Sequence, residues 1–457
     1  MVIIMLFRKV RTKIEQWINN DKEALLITGA RQVGKSYIIK QTLKENNIDY
    51  IEFDLLNDPK ILSVLNNAVN KDIETFLSVI RVSSKKILNN DTVIFLDEVQ
   101  ECKEILTIIK YLVEHGQYRY ILSGSLLGVE LVDLRSAPVG YLKIIDMYPL
   151  DLEEFLIANG LGNDVINVLK DCFERRKEVN KFIHEELINA FYKYLIVGGM
   201  PAAVQEYINT GDFMRVKSIH DEIYRLYKMD FTKYEVRNKL KLIKTYDLIP
   251  SELNSKNKRY IFKNLDSELR YERYENSFNW LESAGVSLPC YNVTEYMIPL
   301  EASKKSNLFK LFLSDVGMLT SLYGTATILE LLDRGRNINC GAMFENVIAQ
   351  ELKAHGFKLY YFNTKKHGEV DFLIEYNNQL LPIEVKSGKD YQKHSALTYF
   401  ITQKTFNEAI VFSNNNIKVE KDIYYMPIYM IMFLHSNFNI ERKEKINLSN
   451  LSSFLEI

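Results

Sequence analysis

Short apolar runs alternate with helix-like patterns from about residue 24 to residue 147. The runs are EALLIT, YIEFD, TVIFLD, YRYILS and YLKIIDMYP, and apolar residues at helical spacing lie between most of them. Strands that are separated by helices favour a mainly parallel sheet with helices on both faces. We therefore predict an α/β domain over residues 1–150.

The pattern changes twice further along the chain. Residues 151–335 place apolar positions at helical spacing, with LPCYNVT and NLFKLFL as the main strand candidates. From Gly341 the order becomes helix, three strands, helix and strand. We predict a helical middle over 151–335 and a second α/β domain over 336–457, and the total length agrees with about three domains.

Composition excludes several classes of protein. The chain is 47% hydrophobic and 26% charged, as in folded globular proteins, and its net charge is −1, so nucleic acid would have to bind local clusters. Its four cysteines form no Cys-x-x-Cys pair, which argues against a zinc knuckle or a secreted disulfide framework. The apolar run IYYMPIYMIMFL is too short to span a bilayer. We predict a cytoplasmic protein without a membrane segment.

The segment ALLITGARQVGKSYII contains a complete G-x4-G-K-S pattern between a predicted strand and a predicted helix. Glycines allow a tight turn that brings backbone N–H groups against phosphates, and a bare glycine-rich turn is the alternative. We expect Lys35 to contact the β and γ phosphates of ATP and Ser36 to bind Mg²⁺. The predicted nucleotide-binding residues are Gly29, Ala30, Arg31, Gln32, Val33, Gly34, Lys35, Ser36 and Tyr37.

Acidic residues follow the buried strand TVIFLD. We predict that Asp97 holds Mg²⁺ and that Glu98 orients and deprotonates the attacking water; an ordinary strand with exposed acids is the alternative. The next strand ends in Ser-Gly-Ser, where Ser123 could touch the γ-phosphate or simply form a turn. Arg135 is a candidate transition-state arginine, with a surface arginine as its alternative.

This order of motifs resembles the prokaryotic AAA-type ATPases whose opening is GARQVGKS and whose ATPase core precedes an uncharacterised C-terminal domain. YLIVGGMPAAV, NLFKLFLSDVGML, FENVIAQEL, EVDFLI and PIEVKSG also resemble recurring segments of that family, so the resemblance covers nearly the whole chain. Relatives often carry a Gly-Arg pair before the Pro-Leu segment, whereas here Tyr141 follows Gly140. The identity of a transition-state arginine therefore stays open.

Two carboxylates and a lysine stand out in the C-terminal domain. Asp371 in EVDFLIEY and Glu384 and Lys386 in LLPIEVKS form a D-x12-E-x-K pattern on neighbouring predicted strands. Paired carboxylates can hold a divalent metal and an ammonium can stabilise a phosphorane, so Asp371, Glu384 and helical Glu345 are candidate metal ligands. The domain is similar to PD-(D/E)xK nucleases, with Val370 in place of the proline. A salt-bridged sheet face is the alternative.

The sequence pattern that could indicate nucleic-acid binding is confined to one short segment. Residues 256–263, KNKRYIFK, interleave basic and aromatic residues ahead of Asn279-Trp280, which is compatible with nucleic-acid binding or with a solvated loop. The family resemblance implies a winged helix in the middle region. The segment Gly198–Pro201 is predicted to be a hinge or a helix stop.

We arrive at two functional hypotheses. In the first, an ATPase with Mg²⁺ acts on or senses DNA or RNA through a nuclease-like domain. In the second, ATP drives a regulatory switch that binds a protein partner, and the C-terminal domain is an inactive module. Assembly into a homo-oligomer is left open by the sequence.

Overall fold

The structure is a computed structural model that describes residues 6–84, 86–125, 140–234, 239–255, 258–261, 274–364 and 368–436. Arg135 and half of the basic segment 256–263, namely 256–257 and 262–263, lie outside these residues.

The N-terminal domain is a five-stranded parallel sheet with strand order β2-β3-β4-β1-β5. This confirms the predicted α/β domain. Its strands are β1 (Ala24–Thr28), β2 (Tyr50–Asp54), β3 (Val93–Asp97), β4 (Arg119–Gly124) and β5 (Leu142–Asp146). Its helices are α1 (Val10–Asn20), α2 (Lys35–Glu45), α3 (Pro59–Val69), α4 (Ile73–Ser83) and α5 (Glu104–His115).

Burial on both faces explains why these strands are almost wholly apolar. Every residue of β1 and β3 is buried. Leu25 and Ile27 belong to one hydrophobic cluster, and Leu26 belongs to another, because successive strand residues point to opposite faces. Since all five strands are parallel, the carboxyl ends of β1, β3 and β4 meet at one edge of the sheet.

The middle region is helical, as predicted. Its helices are α6 (Leu152–Ala158), α7 (Asn163–Arg175), α8 (Lys181–Val197), α9 (Pro201–Thr210), α10 (Phe213–Tyr234), α11 (Lys239–Asn254) and α12 (Glu275–Ser283). The two strand candidates form the antiparallel pair β6 (Ser287–Val293) and β7 (Lys304–Leu313), which precedes α13 (Val316–Tyr323) and α14 (Thr325–Leu332). Within the described ranges, the helices are all too short or too polar to cross a membrane.

The C-terminal region is an α/β unit with mixed sheets. It contains α15 (Gly341–Ala354), β8 (Tyr360–Thr364), β9 (Gly368–Val370), β10 (Phe372–Tyr376), β11 (Gln379–Val385), α16 (Ser395–Thr402), β12 (Ala409–Ser413), β13 (Lys418–Glu420) and β14 (Ile423–Pro427). The expectation of one strand for EVDFLIEY was incorrect. The predicted strand is interrupted at Asp371. Before it, β9 belongs to the sheet of β6, β7 and β8; after it, β10 pairs with β11 in the second sheet.

A buried carboxylate holds the turn through which the helical middle is bonded to the ATPase domain. Asp315, fully buried at the end of β7, accepts hydrogen bonds from the backbone N–H of Gly199 (2.6 Å) and of Met318 (2.9 Å). Burial raises the pKa of Asp315 to about 6, and these amides oppose the rise. The carbonyl of Gly199 in turn accepts from the N–H of Leu150 at 2.7 Å.

The backbone of residue 199 lies so close to the backbone of Leu150 that glycine is favoured there. A Cβ on Gly199 would lie 2.0 Å from the Leu150 oxygen, so Gly199→Ala should lower the free energy of unfolding by about 1–3 kcal/mol, as for other overpacked sites. Thermal melting of the full chain measures the effect. Gly388→Ala is the control, because a Cβ there would meet no atom within 4 Å. Equal melting temperatures for the two variants would contradict the prediction.

Candidate functional site

The predicted phosphate loop connects β1 to α2 and is a tight turn. Gly29 has a φ of 142°, and a Cβ there would lie 2.1 Å from the Met147 oxygen. Gly34 has a φ of 93° and caps the N-terminus of α2. Within the predicted nucleotide-binding set, the interior residues Ala30 and Val33 are buried, whereas Gln32 and Tyr37 are exposed. The loop therefore presents its backbone at a helix N-terminus, which favours anions.

Lys35 lies inside this loop. Its Nζ donates hydrogen bonds to the backbone oxygens of Gly29 (3.0 Å) and Ala30 (2.8 Å). Burial lowers the pKa of Lys35 to about 8, while the carboxylates of Glu98 and Asp97 act against this. Neutral carbonyls are weaker partners for an ammonium than phosphate oxygens are. The loop and Lys35 thus have the chemistry that a nucleotide phosphate needs.

Asp97 ends β3 and faces the loop. One of its oxygens, Oδ1, accepts hydrogen bonds from Ser36 Oγ at 2.9 Å and from Ser123 Oγ. Burial raises the pKa of Asp97, and the two hydroxyls lower it. Hydroxyl and carboxylate oxygens are the ligands that Mg²⁺ prefers, so Ser36 and Asp97 suit this ion.

Glu98 is held in an uncommon backbone conformation directly after Asp97. Its φ of 55° is left-handed, which costs a non-glycine residue about 1–2 kcal/mol. The side-chain amide of Gln100 donates to Glu98 Oε2, and Ser125 Oγ approaches the same oxygen at 3.3 Å. These contacts fix the carboxylate at the edge of the sheet where β3 and β4 end.

Helix α10 of the middle region contacts the phosphate loop directly. The guanidinium of Arg31 pairs with the carboxylate of Asp230, and the hydroxyl of Tyr227 donates to the Arg31 oxygen at 2.9 Å. Arg31 Nε also approaches Ser125 Oγ at 3.4 Å. On the other side of the loop, Arg8 donates to the Val33 oxygen at 3.0 Å. The loop therefore connects the ATPase domain to the helical middle.

The predicted C-terminal residues also come together. Lys386 Nζ lies 2.7 Å from Glu384 Oε1, and Asp371 Oδ2 accepts from the Val385 N–H at 2.9 Å. Burial, followed by the charge of Asp371, raises the pKa of Glu384 to about 8. Burial also raises the pKa of Asp371, whereas the pKa of Glu345 is lowered because nearby lysines outweigh its burial.

Those lysines were not predicted as site residues. Lys310 of β7 is fully buried, and its Nζ lies 2.8 Å from Glu369, 3.3 Å from Glu345 and 3.7 Å from Asp371. Lys258 pairs with the other oxygen of Glu345. Within the residues that the structure describes, no group of three or more His, Cys, Asp or Glu side chains is arranged to hold a metal.

Comparisons with known proteins define the class of the N-terminal domain. Residues 21–156 match the profile of the AAA domain family, residues 188–328 match a domain of unknown function (DUF8612), and residues 340–431 match another (DUF4143). The chain therefore contains an AAA-type P-loop ATPase domain followed by two domains of unknown function. No curated protein matches the chain.

Three solved structures illustrate the similarity. The Walker-type ATPase PABY2304 of Pyrococcus abyssi is 15% identical with a TM-score of 0.42, and the match covers 70% of this chain and 96% of that one. AMPPCP-bound DnaA from Aquifex aeolicus is 13% identical with a TM-score of 0.30, covering 56% and 76%. Drosophila ORC bound to AT-rich DNA and Cdc6 is 8% identical with a TM-score of 0.24, covering 72% and 91%. With these TM-scores, none of the three establishes a function for this chain.

Two of the described residues of the basic segment 256–263 are engaged within the protein. Lys258 pairs with Glu345, and Tyr260 is buried with its hydroxyl bonded to the Thr245 oxygen at 2.9 Å. Trp280 is buried as well and packs edge-on against Phe231. In this conformation these two aromatic rings are not available to stack on bases.

Sequence reasoning missed the contacts that cross between regions. Tyr227 and Asp230 lie on an ordinary amphipathic helix, and nothing local marks them as partners of the loop. Lys310 does carry a signal, since it interrupts the apolar strand NLFKLFL. A lysine is almost never fully buried unless it is paired, so its position predicts a buried acidic partner.

The two acidic residues after β3 should have separable roles. Glu98→Gln cannot take a proton, so turnover should fall by about 100-fold or more while ATP still binds. Asp97→Asn should instead weaken Mg²⁺-dependent nucleotide binding, because it removes a charged ligand. Nucleotide titration and steady-state hydrolysis measure the two effects, and equal affinity with equal turnover in both variants would contradict the assignment.

Proposed function

We propose that this protein hydrolyses ATP with Mg²⁺ and uses the nucleotide state to move its helical middle. The observation that carries this proposal is the convergence of Lys35, Ser36, Asp97 and Glu98 at the edge where β1 and β3 end. The AAA domain profile supports ATP binding at this place.

Each residue has a distinct task in this mechanism. The loop amides and Lys35 bind the phosphates, and Ser36 and Asp97 would hold Mg²⁺. The ion held there would supply positive charge against the negative charge that develops on the phosphates. Glu98, positioned by Gln100 and Ser125, orients the attacking water and accepts its proton.

Arg31 connects nucleotide binding to movement of the helical middle. Its guanidinium pairs with Asp230 of α10, and phosphate oxygens are strong competitors for a guanidinium. A phosphate group that attracts Arg31 would weaken the contact with α10, so nucleotide binding can change how the helical middle packs on the ATPase domain. This favours the regulatory switch over an ATPase whose middle region is passive.

Metal-dependent cleavage of DNA or RNA is the second candidate function, with the C-terminal domain as the nuclease. The closeness of Asp371, Glu384 and Lys386 favours it. The lysine partners of Glu345 and Asp371 favour the inactive module instead, because these carboxylates already have cationic neighbours.

The ATPase proposal is tested by Lys35→Ala. Loss of the ammonium should reduce hydrolysis by about 100-fold or more, which is the effect of removing one preorganised charge-stabilising group. The matched control is Lys44→Ala, which removes an exposed lysine from the same helix and should leave hydrolysis unchanged. Both variants should retain the wild-type circular dichroism spectrum. A folded Lys35→Ala protein with wild-type turnover would refute the proposal.

The C-terminal domain is tested by cleavage assays with Mg²⁺ or Mn²⁺. Since lysines pair with its carboxylates, we expect the wild type to cut neither single- nor double-stranded DNA or RNA, with or without ATP. A nuclease makes the opposite prediction: cleavage occurs, Asp371→Ala, Glu384→Ala and Lys386→Ala each abolish it, and ATP hydrolysis persists. That result would restore the nucleic-acid hypothesis.

A further inference from the structure

The C-terminal acidic cluster, defined as Glu345, Glu369, Asp371 and Glu384, is assembled from separate elements. Glu345 lies on α15, Glu369 on β9, Asp371 at the break before β10 and Glu384 on β11. Glu345 and Glu384 are more than nine-tenths buried, and the Asp371 side chain is 14% exposed. Carboxylates in such surroundings need positive charge or hydrogen-bond donors nearby.

Lysines provide that charge. Lys310, Lys258 and Lys386 each pair with a member of the cluster. Lys310 differs from the other two because it is fully buried and approaches three carboxylates at once. Its Nζ also lies 5.2 Å from the centre of the Tyr361 ring, another favourable contact for a cation.

One member of the cluster keeps an unused ligand atom. Glu384 is 7% exposed, and its buried Oε2 makes no hydrogen bond, while its carboxylate interacts electrostatically with Asp371 and Glu345. Unpartnered carboxylate oxygen beside two further carboxylates is the donor chemistry of a hard divalent cation. The cluster therefore contains both the ligands for such an ion and an ammonium among them.

We propose that Lys310 is the resident counter-ion of this cluster, and that Mg²⁺ or Mn²⁺ binds there only when Lys310 is removed or displaced. An ammonium and a divalent cation compete for the same carboxylates, and the ammonium is tethered to β7, so its effective concentration is high. The cluster is thus a divalent-cation site that cannot bind its cation while Lys310, on strand β7 of the middle region, occupies the carboxylates. The proposal does not depend on ATP hydrolysis.

The test uses the full chain without nucleotide and Mn²⁺ alone as the probe. Calorimetric titration of Lys310→Met should reveal one Mn²⁺ site that is at least ten-fold tighter than any site in the wild type. The double variant Lys310→Met/Asp371→Asn should lose that site. Mn²⁺ should also raise the melting temperature of Lys310→Met but not that of the wild type, since a ligand that binds the folded state stabilises it.

Lys258→Met is the matched control. It removes a partly exposed lysine that pairs with Glu345, so the cluster keeps the buried Lys310 and should gain no Mn²⁺ site. A folded Lys310→Met protein without a new site would overturn the proposal. So would a wild-type Mn²⁺ site of similar affinity that Asp371→Asn removes.

Loss of Lys310 leaves carboxylates without their cation, so Lys310→Met could fail to fold. Lys310→Met/Glu369→Gln removes one negative charge as well and keeps the other three carboxylates. We expect this variant to fold and to bind Mn²⁺; failure of both variants to fold even with Mn²⁺ would overturn the proposal. Hydrolysis of ATP, measured on the same proteins, reports separately on the proposed function.

Discussion

The packing of the helical middle on the ATPase domain depends on the buried carboxylate of Asp315. It accepts backbone N–H groups from Gly199 and Met318, and Gly199 is bonded in turn to Leu150 at the end of the ATPase domain. Hydrogen bonds to a charged group contribute about 1.5–3 kcal/mol each, and a buried charge that loses them is costly. The approach is so close that a Cβ at position 199 would overlap the backbone of Leu150. The same joint brings Pro201 beside the phosphate loop, where a Cβ on Gly34 would lie 3.7 Å from its Cγ.

The two ionic centres of the chain differ in how their charges are satisfied. At the edge of the sheet where β1 and β3 end, Lys35 is bonded to neutral carbonyls, so an anionic ligand offers it a stronger partner. Arg31 beside it pairs with Asp230 of the middle region. In the C-terminal cluster the carboxylates already have charged partners within the protein, because Lys310 and Lys258 both pair with Glu345. The first arrangement leaves an ammonium without a charged hydrogen-bond partner, whereas the second already pairs its buried charges within the protein.

Both centres involve the middle region. Helix α10 carries Asp230, which pairs with the phosphate loop, and β7 carries Lys310, which enters the C-terminal cluster. Asp315 lies directly after β7 and holds the turn that leads to α9. A movement of the middle region would therefore change the surroundings of both centres.

Most of the candidate nucleotide site could be predicted because its residues belong to short motifs that are continuous in the sequence. The spacing of Gly29, Gly34 and Lys35 dictates a turn, and parallel strands place Asp97 at the same edge. The C-terminal elements were predicted almost as well, but the break at Asp371 and the strands β13 and β14 were not, since apolar periodicity does not reveal when a strand changes sheets.

The sequence by itself determined the element types, the three-part order and the residues that could bind a nucleotide. Only the tertiary structure decided which charges are partners. Arg31 and Asp230 are 199 positions apart, and Lys258 and Glu345 are 87 apart. Such pairs form when separate elements pack together, so they depend on the packing of the whole chain and leave no regular spacing in the sequence. A buried lysine in the sequence predicts an acidic partner, but only the fold shows that Lys310 lies among Glu345, Glu369 and Asp371.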